Sequence, residues 1–291
     1  MTSHADLTRR IPPHAFFMVS ALFHYLGPAF AVLLFARVDV LGVAWLRIGS
    51  AAVVFALWRR PWRLVACVLR EQRRTLVALG VVLATMNACF YEAIARLPLG
   101  TVGAIEFLGP ILLAAAGART PRNLLALVVA SIGGWLLSGV RFASDPLGFA
   151  FAFANCALFM LYVLLGHRIA NQGNEGAGLT GVDRLGAAML IALLAITPLG
   201  LPAAMPALSQ PGLLAAGIGV GICSSVIPYV TDQLAMARLP RATFALLLTL
   251  LPACATCIGV VVLRQIPTIL DIAGVLLVVG GVALHQESAA A

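Results

Sequence analysis

Long apolar runs separated by short polar segments occupy almost the whole of the chain. A helix needs about 20 mostly apolar residues to cross the hydrocarbon core of a bilayer. By that measure the pattern predicts ten membrane-spanning helices, and no remaining segment is long enough for a soluble domain. The predicted spans are residues 14–36, 40–58, 75–95, 100–118, 124–140, 146–166, 183–203, 212–236, 241–263 and 268–285.

The composition supports this assignment to lipid. Of the 291 residues, 62% are hydrophobic and only 10% are charged, and the mean hydropathy is +1.02. Because a soluble domain carries about 25% charged residues, we predict an all-α, polytopic membrane protein. The net charge of +8 includes no lysine, and most of the arginines lie between the apolar runs. We therefore expect them to set the membrane topology and not to bind nucleic acid.

One motif occurs twice, and it divides the chain into two units. The stretch ARLPLGTVGAIEFLGP covers residues 95–110, and ARLPRATFALLLTLLP covers residues 237–252. The two Arg-Leu-Pro turns are 142 positions apart (238 − 96), and so are the two terminal prolines (252 − 110). This spacing predicts two five-helix repeats, residues 1–145 and 146–291. Five is an odd number, so the second repeat must be inverted in the membrane, which is typical of secondary transporters.

The arginines in the loops predict the orientation of the chain. With the N-terminus inside, fourteen arginines lie on the inner side, four lie on the outer side, and Arg47 falls within span two. Loops rich in basic residues stay in the cytoplasm, so both termini are expected to be cytoplasmic. The four outer arginines are Arg37, Arg96, Arg141 and Arg264.

Two opposite charges lie inside the predicted spans. A charge at the bilayer centre costs about 2.5–3.5 kcal/mol on insertion scales, so each one requires a reason. Arg47 in span two and Glu106 in span four both lie roughly 10 Å below the outer end, at about 1.5 Å per residue. They permit two interpretations. One is a structural ion pair, and the other is a pathway in which Glu106 meets a substrate ammonium or a proton.

Two helices carry polar stripes. Asn87 and Tyr91 are four residues apart in span three, and Ser225, Tyr229 and Asp232 follow at i, i+4 and i+7 in span eight. Each set therefore shares one helix face. Because these spans correspond in the two repeats, the stripes indicate either a shared aqueous cavity or a buried hydrogen-bond network. Further candidates for the pathway are His24, Tyr25, Asn155 and Tyr162.

Two prolines are candidate hinges, and the sequence lacks the common catalytic and nucleotide-binding motifs. Pro110 and Pro252 occupy matching places in the two repeats, and proline bends a helix by removing a backbone hydrogen bond, so both are predicted hinges. The sequence contains no HExxH, G-x-S-x-G or phosphate-binding loop, and the Cys254–Cys257 pair lies in an apolar helix without a nearby histidine. We therefore expect no cofactor, no metal site and no enzyme activity. A channel and an intramembrane enzyme are the alternatives to a transporter.

The runs NACFYEAIARLPLGTVGAIEFLGP and SSVIPYVTDQLAMARLPRATFALLLTLLPA resemble those of the ten-helix EamA-type exporters of the drug/metabolite transporter superfamily. The chain looks most similar to the bacterial threonine/homoserine exporter branch, with the aromatic amino-acid exporters as a neighbouring branch. The resemblance covers nearly the whole chain. It implies export of amino acids and related small metabolites from the cytoplasm across the bacterial inner membrane.

The resemblance extends to single residues but is not complete. The branch often has glutamate at the position of Leu251 and Leu-Gly-Glu at the positions of residues 263–265. At the position of Asp232 it usually has glutamate. A broader drug/metabolite or hydrophobic-solute transporter is therefore an alternative, since family likeness does not fix the ligand. The positions that match polar or conspicuous family residues are Arg47, Asn87, Tyr91, Glu106, Pro228, Tyr229 and, as a carboxylate, Asp232.

Overall fold

The structure, a computed structural model, describes residues 12–62, 70–103, 105–106, 109, 120–138, 145–171, 180–240, 243–244, 247–264 and 268–284. Within these residues every regular element is helical. The helices are α1 (Pro13–Leu34), α2 (Val40–Arg59), α3 (Arg70–Ile94), α4 (Pro121–Ser138), α5 (Pro146–Asn171), α6 (Gly181–Leu208), α7 (Pro211–Met236), α8 (Leu251–Leu263) and α9 (Ile269–Leu284). Residues 99–103, 105–106 and 109 are also helical.

Six of these helices, α1, α2, α3, α5, α6 and α7, are long and apolar enough to cross a membrane. Their outer faces carry large apolar side chains such as Leu57 and Leu194, which are 76% and 74% exposed and suit a lipid environment. The chain is thus an all-helical, multi-pass membrane protein, as the apolar pattern predicted. The count of ten spans stays a prediction, because residues 104, 107–108 and 110–118 of the fourth span (100–118) lie outside the described residues.

Local capping fixes where two of the long helices meet. Thr180 caps the start of α6, and the Asp183 carboxylate accepts a hydrogen bond from the backbone N–H of Thr180, so that the two residues form a capping box. Arg59, the last residue of α2, donates from Nε to Asp183 (2.7 Å) and from Nη2 to Thr180 (3.0 Å). These bonds join the end of α2 to the start of α6.

The helices pack in a regular set of pairs. The most extensive contacts join α4 to α9, α2 to α6, α3 to α5, α3 to α6 and α1 to α7. Small residues permit the closest approaches, as is usual between helices in membranes. At the contact of α2 with α6, a Cβ added to Gly42 would lie only 2.5 Å from the carbonyl oxygen of Ala203.

The middle of α7 departs from α-helical geometry. Residues Ile222–Val226 form a π-helical segment, and Pro228 follows it directly. Proline has no N–H, so Pro228 cannot donate to the carbonyl of Ser224, four residues earlier. Gly27 of α1 packs on this segment, since a Cβ there would lie 2.7 Å from the Ser224 nitrogen. The missing N–H of Pro228 leaves the Ser224 carbonyl available to a side chain from another helix.

Candidate functional site

Arg47 extends from α2 and binds the irregular segment of α7. Its Nε donates to Ser225 Oγ (2.8 Å), and its Nη2 donates to the Ser224 carbonyl (2.8 Å) and to the Tyr229 hydroxyl (3.3 Å). Its Cζ also lies 5.2 Å from the centre of the Tyr91 ring, within the range of a cation–π contact. The guanidinium thus takes the carbonyl that proline leaves free within α7.

Glu106 lies in the described helical part of span four and is held by side chains of α1 and α5. It is only 3% exposed. The Tyr25 hydroxyl donates to Oε2 (3.2 Å), and Asn155 Nδ2 donates to Oε1 (3.0 Å). His24 Nε2 lies 3.9 Å from Oε2, which makes an ion pair only when the imidazole is protonated. Both carboxylate oxygens therefore have a donor that is not Arg47.

Arg47 and Glu106 line the same buried cavity but do not pair with each other. Within the described chain, none of the ion pairs shorter than 4.0 Å joins them. The cavity measures about 10 Å³, roughly the space that a single water molecule needs. Its walls are formed by His24, Arg47, Met86, Asn87, Phe90, Glu106, Asn155 and Tyr229.

Two amide oxygens in the walls of this cavity lack a hydrogen-bond partner among the described residues. They are Asn87 Oδ1 and Asn155 Oδ1, and both are buried. The amide nitrogens of the same side chains are used, because Asn87 donates to Leu83 O (2.6 Å) and to the Tyr229 hydroxyl (3.3 Å). Buried polar atoms are nearly always satisfied in folded proteins, so these two acceptors are suited to a ligand with N–H or O–H groups.

Asp232 belongs to a different cluster. Ser20 Oγ donates to its Oδ1 (2.5 Å), the Tyr162 hydroxyl donates to its Oδ2 (2.9 Å), and Asp232 does not line the cavity. The stripe of Ser225, Tyr229 and Asp232 is therefore divided between two sites. Tyr229 and Asp232 are three residues apart in the α-helical part of α7, so their side chains point about 60° apart around the helix axis.

The structure thus brings most of the candidate residues together. His24, Arg47, Asn87, Glu106, Asn155 and Tyr229 line one cavity, and Tyr25, Tyr91 and Ser225 contact those lining residues. Sequence reasoning missed Ser20 and the Ser224 carbonyl. Counting four residues back from Pro228 would have found the carbonyl. Of the two predicted hinges, Pro110 lies outside the described residues, and Pro252 lies in the first turn of α8, after the 3-10 turn Leu248–Leu250.

A second, much larger cavity of about 1040 Å³ opens between α1 and α7. Phe30 and Leu33 form part of its mostly apolar wall, and Arg37 and Gln210 lie where α1 ends and α7 begins. Cys223, in the π-helical segment, also lines it. The cavity therefore reaches the residue next to Ser224.

Within the described residues, no group of three His, Cys, Asp or Glu side chains could hold a metal ion.

Comparison with known proteins gives relatives along most of the chain, although no family model matches. The threonine/homoserine exporter RhtA of Escherichia coli (strain K12) is 32% identical over 242 residues, which are 82% of this chain and 79% of the relative. RhtA of Salmonella typhimurium (strain LT2) is 31% identical with the same coverage. One crystal structure, 20% identical, superposes with a TM-score of 0.66 over 93% of this chain and 96% of its own, and so has the same fold.

Proposed function

The chain belongs to the threonine/homoserine exporter family, and from this premise we propose that it exports small zwitterionic amino acids such as threonine and homoserine. The observation that carries the proposal is the cavity between Arg47 and Glu106. One wall is cationic and another is anionic, and the two charges are held by neutral partners and not by each other. A ligand that carries one positive and one negative charge matches this arrangement.

Each group of such a ligand has a counterpart in the cavity. A guanidinium forms strong, charge-assisted hydrogen bonds with a carboxylate, so Arg47 suits the substrate carboxylate. Glu106 and the free amide oxygens of Asn87 and Asn155 suit the ammonium and a side-chain hydroxyl. The apolar side chains of Met86 and Phe90 limit the space for the rest of the substrate.

Alternating access would admit the substrate to this cavity. At about 10 Å³ the cavity is too small for an amino acid, so binding requires the surrounding helices to separate. The larger cavity between α1 and α7 ends beside the Arg47 site, at Cys223, and we assign it to the outer half of the pathway. Opening and closing then involve the contact of α1 with α7.

An inverted repeat of residues 1–145 and 146–291, with ten spans, supplies the two related gates that this mechanism needs. The packing supports this repeat. In a two-fold relation between the halves, α1 corresponds to α5 and α3 corresponds to α7, so the α3–α5 contact corresponds to the α7–α1 contact, and both are extensive. The same relation maps the α2–α6 and α4–α9 contacts onto themselves. Asn87 and Tyr229, which are hydrogen-bonded, are 142 positions apart, the separation of the two Arg-Leu-Pro turns.

We also assign the protein to the bacterial inner membrane with both termini in the cytoplasm, and to the EamA-type exporters. The arginine count of fourteen against four supports this orientation. Contacts between helix ends support the alternation of the spans. Arg59 binds Asp183, and Arg122 donates to Leu284 O (2.9 Å), so both contacts join ends that the count assigns to the inner side.

Transport by the purified protein in liposomes tests the proposal. Liposomes preloaded with unlabelled L-threonine should accumulate labelled L-threonine by exchange, with saturation, and homoserine should compete. Protein-free liposomes and the variant Arg96→Gln, at the exposed Arg96–Glu92 pair, serve as controls. Flux without saturation or exchange would indicate a channel, and the absence of all flux across a panel of amino acids would refute the exporter assignment.

A further inference from the structure

Asp232 forms a second buried acidic site outside the cavity that holds Arg47 and Glu106. Its side chain is 2% exposed, and its two carboxylate oxygens accept hydrogen bonds from Ser20 and Tyr162. Both donors are neutral hydroxyls. Within the described part of the chain, no arginine or histidine nitrogen lies within 4.0 Å of this carboxylate. Glu106, in contrast, has an amide donor and a histidine beside it.

The ionisable groups around Asp232 do not supply a counter-charge. The helix that carries it, α7, packs against α1, α2, α5 and α6, and its Tyr229 also bonds to Asn87 of α3. Only Tyr162 among their ionisable side chains bonds to Asp232, whereas His24 approaches Glu106 and Arg47 binds Ser224 and Ser225. The ionisable groups on these six helices, besides Asp232, are His14, His24, Tyr25, Arg47, Arg59, Arg70, Glu71, Arg73, Arg74, Cys89, Tyr91, Glu92, Cys156, Tyr162, His167, Arg168, Asp183, Arg184, Cys223 and Tyr229.

Two tyrosines connect Asp232 to the cavity. The ring of Tyr162, whose hydroxyl binds Asp232, lies 5.3 Å from the ring of Tyr229. The Tyr229 hydroxyl in turn accepts hydrogen bonds from Arg47 and Asn87, each at 3.3 Å. Tyr162 and Tyr229 thus form a continuous line of contacts from Asp232 to the cavity.

We propose that Asp232 binds the proton that is exchanged for substrate, while Glu106 binds the substrate ammonium. The inference rests on the proposed function. An anion whose partners are all neutral is costly in hydrocarbon, and a proton removes that charge without needing space for a larger cation. Binding of a proton from water neutralises the carboxylate, and its release to water on the other side of the membrane restores the anion. No other reactant is needed.

Proteoliposomes that contain a pH-sensitive dye test this assignment with L-threonine as the probe. In wild-type protein, a threonine gradient should drive proton movement in the opposite direction. Asp232→Asn should reduce this proton movement to the level of protein-free liposomes while labelled threonine still exchanges for unlabelled threonine. Asp232→Glu should retain coupling, because it keeps a carboxylate. Glu92→Gln, at the exposed pair with Arg96, is the matched acidic control and should behave as wild type.

A second measurement does not depend on transport. Infrared difference spectra between threonine-free and threonine-bound protein should contain a band from a carboxyl group that changes protonation. The band should be missing in Asp232→Asn and present in Glu92→Gln. Tyr162→Phe should keep exchange but shift the pH midpoint of coupled transport by roughly half a unit, because one hydrogen bond to the carboxylate is lost.

The outcomes separate this inference from the function on which it rests. Threonine exchange by wild-type protein without proton movement would overturn the assignment of Asp232 and leave the exporter function standing. Coupled proton movement in Asp232→Asn would overturn it as well. So would loss of exchange in a well-folded Asp232→Asn protein, or an unchanged pH midpoint in Tyr162→Phe. Absence of exchange in the wild type would refute the exporter function, and the proton assignment with it.

Discussion

Arg47 and Glu106 are held apart by the neutral groups around them. The donors of Arg47 are directed to Ser224, Ser225 and Tyr229, and the oxygens of Glu106 accept from Tyr25 and Asn155. These hydrogen bonds fix the position of each charged side chain, but they do not supply the opposite charge that a buried ion requires. Both groups therefore keep their position when a substrate is absent, and each has an ionic interaction left for a ligand.

Replacement of the Glu106 carboxylate should separate binding from folding. Glu106→Gln keeps the shape of the side chain and an oxygen that can accept from Tyr25 or Asn155, so the folded yield should be nearly unchanged. Loss of one charge-assisted hydrogen bond should weaken threonine binding by about 10- to 100-fold. Titration calorimetry on detergent-purified protein measures this affinity.

The double variant Arg47→Gln, Glu106→Gln provides the control for Glu106. If the two residues formed a structural ion pair, the double variant would recover folded protein that each single variant loses. We expect no such recovery, because among the described residues no Arg47 nitrogen lies within 4.0 Å of a Glu106 carboxylate oxygen. Wild-type affinity in well-folded Glu106→Gln would contradict the assignment of Glu106 to the substrate.

At the scale of single residues, the sequence identified the buried charged residues but not all of the neutral residues that bond to them. Arg47, Glu106 and Asp232 could be identified because a charge within an apolar span demands an explanation. Ser20 could not be identified, since a serine in a membrane helix often bonds to its own backbone, as Ser50 does to Leu46 O (2.7 Å). Whether Arg47 and Glu106 pair also depends on tertiary contacts, which the spacing of residues along one helix does not contain.

At the scale of single elements, α7 has the feature that shapes the site. The sequence predicted one continuous span over residues 212–236, and the helix does cover that range. The π-helical segment within it could not be derived from periodicity, because it depends on how Gly27 and Arg47 pack against α7. Pro228 could be read from the sequence. That the Ser224 carbonyl, which Pro228 leaves free, binds Arg47 could not, because this depends on the position of α2.

Pro228→Ala should raise stability and lower transport. Alanine restores the N–H that a regular helix donates to the carbonyl of residue 224, and an interior proline costs a helix about 3 kcal/mol. The restored bond competes with Arg47 for that carbonyl, so threonine exchange should slow while the thermal unfolding temperature rises. Pro211→Ala is the matched control, because Pro211 is the first residue of α7 and removes no hydrogen bond of a helix interior. Faster exchange in Pro228→Ala would contradict the role given to the free carbonyl.

The junction between α2 and α6 permits a graded stability prediction. Asp183 accepts a hydrogen bond from Arg59 and also completes the cap of α6 with Thr180. Arg59 donates to Asp183 and to Thr180 Oγ1, but neither bond is part of the cap itself. Asp183→Ala should therefore lower the unfolding free energy by about 0.5–2 kcal/mol. Arg59→Ala should cost less, up to about 1 kcal/mol, because the pair is partly exposed. Thermal unfolding in detergent compares the two, and a larger loss for Arg59→Ala would contradict this order.

At the scale of the whole molecule, the contacts between helices relate the two halves of the chain. Residues at equivalent places of an inverted repeat touch each other only near the two-fold axis that relates the repeats. Asn87 and Tyr229 are such a pair if the repeat length is 142, and both line the cavity between Arg47 and Glu106. The proposed substrate site would then lie on the axis, where each repeat contributes equally and where either gate can reach it.

The contacts between helix ends predict which loops share a side of the membrane, and chemical labelling can test this. In a variant without the six native cysteines, Arg122→Cys and Arg238→Cys should react with a membrane-impermeant maleimide only after the membrane is opened, because both lie on the arginine-rich side. Arg37→Cys and Gln210→Cys, which line one cavity, should both react in intact cells. A membrane-permeant maleimide confirms that each cysteine is reactive, and threonine exchange by the cysteine-free parent confirms its fold. The inverted arrangement requires an odd number of membrane crossings between residues 37 and 238, so these residues must lie on opposite sides. Reaction of both Arg37→Cys and Arg238→Cys from the outside would refute it.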